Sequence, residues 1–435
     1  MKNHTVFALL AGLAGLAVAC GSTASTDPAP APAPAPTDTT PPVEPPAEKP
    51  PVAAVDHGAV STKYPAFAPA MGQLADNGGA VLKNAVIVTV TWPDDLKAVD
   101  LETLGDTIGQ GQYWKDTVSE YGALAGVSGE ANHVRIATPA PATFADKELA
   151  TFVADSVTSG LFPTPATGDP VYILYLPKTT SLLLNGKSAC AQGVGGYHDS
   201  TKVGLKSVAY AIVPRCGSSF DSVTVSASHE LVEAASDPYP RSRPAWTGFR
   251  EEDLAWEFFQ QFQSENGDAC EFYRDSDLGA GVESGLAVTV QRSWSNKSAA
   301  GGHDPCVPAF KGVTFFNTTP LALEDVTVDL SALGGSTVNT KGIKIAVGAT
   351  KTIPIGFYSD GPVGAWTINA VMGGIAGGNK SGVDLSLDVT SGENGQKAYL
   401  TITVNTAGKT GAELITVVSK RGGTSHYMPI LIGSQ

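Results

Sequence analysis

The chain has 435 residues, 42% of them apolar and 16% charged, with a formal net charge of −14. That size allows a substantial core and points to two folded units. The composition excludes a wholly disordered chain, and the charge excludes nucleic acid as a partner.

The first element is at the N-terminus. Lys2 followed by the apolar run 6–18 reads as a signal segment, too short to span a bilayer as a stable helix. The sequence Ala17-Val18-Ala19-Cys20-Gly21 resembles a bacterial lipobox, with Leu16 one position earlier than usual. The resemblance implies cleavage before Cys20 and acylation of Cys20. It also implies a protein lipid-anchored in the cell envelope, at the outer membrane or cell surface. Residues 21–56 are Pro-rich; Pro at nearly every second position favours extended polyproline II, a stalk rather than a core.

Residues 57–308 alternate strand and helix signals. β-branched runs predict strands at 85–92, 133–138, 170–176 and 207–213. Helices are predicted over 109–122 and over 145–159, where Leu149, Phe152, Val153 and Val157 recur at helical spacing. Past Pro308 the texture changes. Short alternating runs at 326–330, 343–347, 385–389, 400–404 and 414–418 are separated by turn clusters, with no helix signal. Residues 309–435 therefore read as a β-sandwich of immunoglobulin-like shape. The fold class is α+β: a mixed sheet with helices, then an all-β sandwich.

Cys190, Cys216, Cys270 and Cys306 form an even set in an exported chain, which implies two disulfides. Three pairings are possible; the two sequence-local ones, Cys190–Cys216 and Cys270–Cys306, are favoured. The spacing does not suit a four-thiolate zinc site.

The chemistry concentrates at residues 228–238, SHELVEAASDP. Asp221 or Ser222 is placed to cap a helix that Pro238 stops. On that helix His229 and Glu233 are four residues apart and share a face, and Asp237 extends the row by one turn. Imidazole and carboxylate both ligate zinc. Glu230 stands where a zinc protease keeps its general base. The surroundings are acidic: residues 221–277 carry thirteen acids against four Arg and no Lys, a net −9. Such a run attracts divalent cations; a solvated acidic face is the plainer account of the composition.

The HE helix followed by Glu265-Asn-Gly-Asp268 resembles the thermolysin-like gluzincins, a zincin fold. The resemblance implies a metal at His229, Glu233 and Glu265, with Asp268 hydrogen-bonded to His229 and Asp237 in support. The sequence departs from that family at Glu233, where the family has His. A set this rich in carboxylate suits zinc with a less acidic water, or calcium or manganese. From about 83 to 308 the chain also resembles bacterial exported proteins distantly similar to the Exordium (phosphate-induced) family. The matching residues are Trp92, Gly160-Leu-Phe-Pro163, Gly196-Tyr-His198, SHELVEAASDP, Asp268-Ala-Cys270 and Pro305-Cys306. That resemblance ties the two acidic motifs together and supplies no reaction.

His198 lies in a Gly-rich stretch and reads as a catalytic hydrogen-bond donor, a ligand, or a loop His packed by Tyr197. Trp246, Trp256, Phe258 and Phe259 read as core rather than as a substrate groove. Two functions fit. One is an exported, membrane-anchored metal-dependent hydrolase of peptides, with Glu230 and His198 as catalytic residues. The other is a surface lipoprotein without catalysis, holding a structural metal or acidic site and binding a glycan or protein.

Overall fold

The computed structural model describes residues 55–434, apart from 94, 218, 263, 282, 332–333, 375–381 and 407–411. Residues 1–54, with the expected signal segment, Cys20 and the Pro-rich stretch, lie outside the described residues. Among the described residues no helix is long and apolar enough to cross a membrane.

The first portion is built on a mixed sheet. Its strands are β1 (Asn84–Thr91), β2 (Ala125–Val127), β3 (His133–Arg135), β4 (Asp169–Tyr175), β5 (Tyr197–Val203) and β6 (Lys206–Val213). The order is β2-β1-β4-β6-β5, with β3 also on β1. All pairs are parallel except β6–β5, so β5 is an antiparallel edge strand. The apolar runs of β1, β4 and β6 fit strands buried on both faces. Helices α1 (Ala98–Ile108), α2 (Gln112–Val118) and α4 (Phe220–Ser236) cover one face, through Leu101, Trp114 and Leu231 on Ile87, Ile173 and Ala211. Helix α3 (Asp146–Ser159) covers the other, through Leu149 and Val153 on Val88 and Leu174.

Three expectations are corrected. Of the helix expected over 109–122, α2 holds 112–118; α1 lies before that range with Leu101, Leu104 and Ile108 turned to the core, and Gly109 and Gly111 separate the two. The cap of α4 is Ser219, whose extended backbone lets its hydroxyl accept from Asp221 N at 3.1 Å; Asp221 sits in the first turn, where its charge suits the helix dipole. His198 is in strand β5, not in a loop, because its backbone pairs opposite Ala211 of β6.

The second portion is β-rich. Its strands are β7 (Phe316–Pro320), β8 (Glu324–Asp329), β9 (Thr337–Ile345), β10 (Thr350–Ser359), β11 (Trp366–Met372), β12 (Val383–Leu387), β13 (Ser391–Gly392), β14 (Lys397–Val404), β15 (Ala412–Arg421) and β16 (Thr424–Ser434). One sheet orders β7-β10-β14-β12 and the other β8-β9-β16-β15-β11-β13. Alternating residues such as Ile353, Ile355 and Phe357 of one meet Ile415, Val417 and Ile430 of the other in a shared core.

That core does not stop at residue 308. Met71, Trp256, Phe259 and Trp294 belong to it, so these aromatics are packing residues. Residues 57–66 also run along the sandwich, with Lys397 N donating to His57 O at 2.7 Å and Ser61 N to Asn394 O at 2.7 Å. Residues 57–435 form one compact unit. Both favoured disulfides are present, with Cα–Cα distances of 5.1 Å for Cys190–Cys216 and 5.8 Å for Cys270–Cys306.

Candidate metal centre

Helix α4 is buried on nearly all sides from Ala227 to Ser236. Its apolar residues, among them Ala227, Leu231 and Ala235, join the core beneath the sheet, and His229, Glu230 and Glu233 are buried with them. Two other segments meet them there. The start of β5 brings His198, and the turn Glu265-Asn266-Gly267-Asp268 brings two further carboxylates. That turn is fixed from several directions. Asn266 Nδ2 donates to Thr117 O at 3.4 Å, Ser236 Oγ donates to Asn266 Oδ1 at 3.2 Å, and Cys270 ties the turn to Cys306.

The contacts converge on one atom. Glu233 Oε2 lies 3.1 Å from His229 Nε2 and 3.4 Å from His198 Nδ1. His229 Nε2 is also 3.6 Å from Asp268 Oδ1. His198 Nδ1 is 3.5 Å from Glu230 Oε2, and its Nε2 is 3.4 Å from Glu265 Oε2. Glu233 Oε1 accepts from Asp268 N at 3.0 Å, which locks the carboxylate. The donors thus fall into two groups that share Glu233: His229, Glu233 and Asp268; and His198, Glu233 and Glu265. From sequence, Glu265 was matched to His229 as third ligand. The fold pairs Glu265 with His198, and Asp268 with His229.

The hydrogen bonds decide which imidazole nitrogens are free. Gln291 Nε2 donates to Gly267 O at 2.8 Å, so Gln291 Oε1 must be the atom facing His229 Nδ1 at 3.0 Å. Nδ1 therefore carries a proton and Nε2 presents its lone pair to Glu233 and Asp268. His198 Nε2 lies 3.0 Å from the carbonyl of Asp237, which can only accept; Nδ1 is then the lone pair facing Glu230 and Glu233. Lone pairs facing carboxylate oxygens repel unless a proton or a cation lies between them.

Charge is otherwise unmet. Among the described residues, no Lys or Arg pairs with Glu230, Glu233, Asp237, Glu265 or Asp268; the ion-pair partners of Glu230, Glu233, Glu265 and Asp268 are the two histidines, and Asp237 has none. Burial pulls both imidazoles down, but the carboxylates around them outweigh it and hold both well above 6.5. Burial also acts on Glu233, yet His229 and His198 keep it well below the usual carboxylate range. Burial pushes Glu230 up and Glu265 far up, and it lifts Asp268 to about 7 and Asp237 to about 6. A metal-free cluster thus stores protons, which a divalent ion would displace.

The donor set fits such an ion. A tetrahedral zinc site with bonds of about 2.1 Å has ligand–ligand edges of about 3.4 Å. The separations of 3.1, 3.4 and 3.6 Å around His229, His198 and Asp268 match that edge. The walls are also shaped to it. A Cβ on Gly267 would stand 2.8 Å from Glu233 Oε1, and one on Gly196 would stand 2.6 Å from Glu230 Oε1. Sequence reasoning missed Gln291 and the part played by Gly267; Gly267 is an unspecified position inside the 265–268 motif, and Gln291 belongs to no motif and reaches His229 across 62 positions.

No family model matches the chain, and no curated protein matches it. Several solved structures match short stretches of the chain. A chimeric titin Z1Z2 carrying a decorin peptide is 12% identical with a TM-score of 0.16, covering 26% of this chain and 98% of that one. The titin M3 domain is 9% identical with a TM-score of 0.16, covering 26% and 99%. A titin M10–obscurin-like 1 Ig complex is 15% identical with a TM-score of 0.15, covering 21% and 84%. Similarity this slight says nothing about the metal centre.

Proposed function

We propose that the protein is an exported metal-dependent hydrolase acting on peptide-like carbonyl substrates. In this reading it is held at the cell envelope by acylation at Cys20. Its first portion is a zincin-like domain, and its C-terminal portion is an immunoglobulin-like module. The observation that carries the reading is the convergence of two imidazole lone pairs on Glu233 Oε2 in a cluster without Lys or Arg. His229, Glu233 and Asp268 hold the ion. Zinc fits best, because imidazole ligands suit it and calcium prefers oxygen alone. When bound, a divalent ion polarises a carbonyl and lowers the pKa of water.

The chain's own groups supply the rest. Glu230 is buried, and burial raises its pKa above the usual carboxylate range, which suits a general base. His198 holds Glu230 at 3.5 Å and is itself fixed by the Asp237 carbonyl. Gln291 sets the tautomer of His229, as a carboxylate or carbonyl does in many metal sites. Two disulfides support an exported location. The test is hydrolysis of a peptide library. Cleavage abolished by chelator, restored by zinc and lost in Glu230→Gln supports the proposal; cleavage indifferent to all three, or none at all with metal bound, refutes it.

A second reading rests on depth. His229, Glu265 and Asp268 expose only 11%, 14% and 22% of their side chains, so the opening to the site is narrow. A structural ion in a surface-binding lipoprotein would suit that. Metal binding with no hydrolysis, together with saturable binding of a glycan or protein, favours this reading.

A further inference from the structure

The group formed by His198, Glu233 and Glu265 shares only Glu233 with a site centred on His229, which leaves Glu265 without a role there. We infer that it is a second metal seat, so that the cluster holds two divalent ions bridged by Glu233. The inference rests on the metal-binding reading above and extends it to a two-metal centre.

Three observations carry it. First, the two donor groups are separate except for Glu233, and each gathers an imidazole and two carboxylates with their ligand atoms within 4.8 Å of one another. Second, both imidazoles approach the same oxygen, Glu233 Oε2, at 3.1 and 3.4 Å. That oxygen is placed to be shared, and its twin Oε1 is already taken by Asp268 N. Ions about 3.5–4 Å apart are the usual geometry of two-metal hydrolytic sites. Third, Asp237 is fully buried, and its Oδ2 has no hydrogen-bond partner. Its Oδ1 is satisfied by Ala245 N at 2.9 Å, and its own carbonyl holds His198. An orphaned buried carboxylate oxygen is costly. It belongs to the residue whose carbonyl seats His198.

The charge argues the same way. Five carboxyls surround the two imidazoles, and a single divalent ion leaves most of their ionised charge unmet; two nearly meet it. The ligand class is a pair of small, imidazole-tolerant divalent ions such as Zn²⁺ or Mn²⁺. Two ions would share between them the tasks of orienting a carbonyl and activating water.

The experiment is to strip the purified protein with chelator, titrate it with Mn²⁺, and read both stoichiometry and the electron paramagnetic resonance spectrum. Two ions per chain are expected, with the spectrum of an exchange-coupled pair. His198→Ala should bind one ion with an uncoupled spectrum, and Asp237→Asn should weaken the second ion at least tenfold while leaving the first. A single uncoupled ion in the wild-type protein overturns the second seat without touching the first. Binding of no ion, or a first ion that survives His229→Ala, overturns the metal reading itself. The wild-type spectrum decides the matter even if a variant fails to fold.

Discussion

In the C-terminal sandwich, Lys341 meets Asp325 at 2.6 Å with 51% and 81% of their side chains exposed, and Lys351 meets Glu324 beside them. In the first portion, Glu233 meets His229 at 3.1 Å with only 4% and 11% exposed, and no Lys or Arg is paired with it. The sandwich keeps its charges in water, paired by sign, over a core of Ile, Val and Phe. The α4 region buries a run of like charge behind two histidines. Exposed pairs add little to stability and need no further account. A buried cluster of one sign is unfavourable unless something neutralises it, which is why the proposed function is placed there.

The comparison can be broken in several ways, and the largest effect concerns the staple beneath the cluster. Cys270–Cys306 closes 36 positions and tethers the Asp268 turn. Replacing both cysteines with Ala should cost roughly 4 kcal/mol on the loop-entropy account, measured by denaturant unfolding. Metal should be lost with it. Removing Cys190–Cys216 should lower stability and leave metal binding intact; equal effects on metal would mean the cluster has no special tether.

The next effect sits in the sandwich. His426 is a buried titratable group there that contrasts with the His229 cluster. It packs edge-on between Phe315 and Phe316, and burial pulls it from 6.5 to about 4, with Asp275 and Arg292 acting on it in opposite directions. The unfolded chain takes up this proton first. The stabilisation is complete above about pH 6.5 and is lost as pH falls through 4, amounting to about 3 kcal/mol. The difference in unfolding free energy between wild type and His426→Phe should follow that profile. A difference independent of pH contradicts it.

A smaller effect sharpens the role of Gln291. Gln291→Leu keeps the volume and removes the acceptor for His229 Nδ1, so zinc affinity should fall about 10–100-fold while the melting temperature holds. Unchanged affinity would mean that the tautomer is set elsewhere. The smallest effect is at the surface: Lys341→Ala should leave both the melting midpoint and metal affinity where they were, as read by thermal unfolding and metal titration.

The parts of this arrangement that could be read from the sequence are the parts that are local. His229, Glu230 and Glu233 lie on one helix whose cap and stop signals are adjacent, and Glu265 and Asp268 share one turn. The pairing of the turn with the helix is a property of the packing. Spacing alone gave no reason to place Glu265 beside His198 rather than His229. His198 sits next to the Gly-rich residues 193–196, and only the ladder to β6 makes it a strand residue. The same limit hid several strands. β10 contains Pro354 and β16 contains Pro429, and proline in a run argues against a strand from sequence. Both are nonetheless held in two sheets by long ladders to β14 and β15. Gln291 was out of reach for the plainest reason: its partner is 62 positions away and its own neighbours carry no motif.

The most direct test of the account is the metal content of the purified protein beside its His229→Ala variant, by elemental analysis after gel filtration in metal-free buffer. At least one zinc or manganese ion per chain in the wild type, and one ion fewer in the variant, is the predicted result. A wild-type protein that emerges folded and metal-free, and stays so after incubation with zinc, would contradict it.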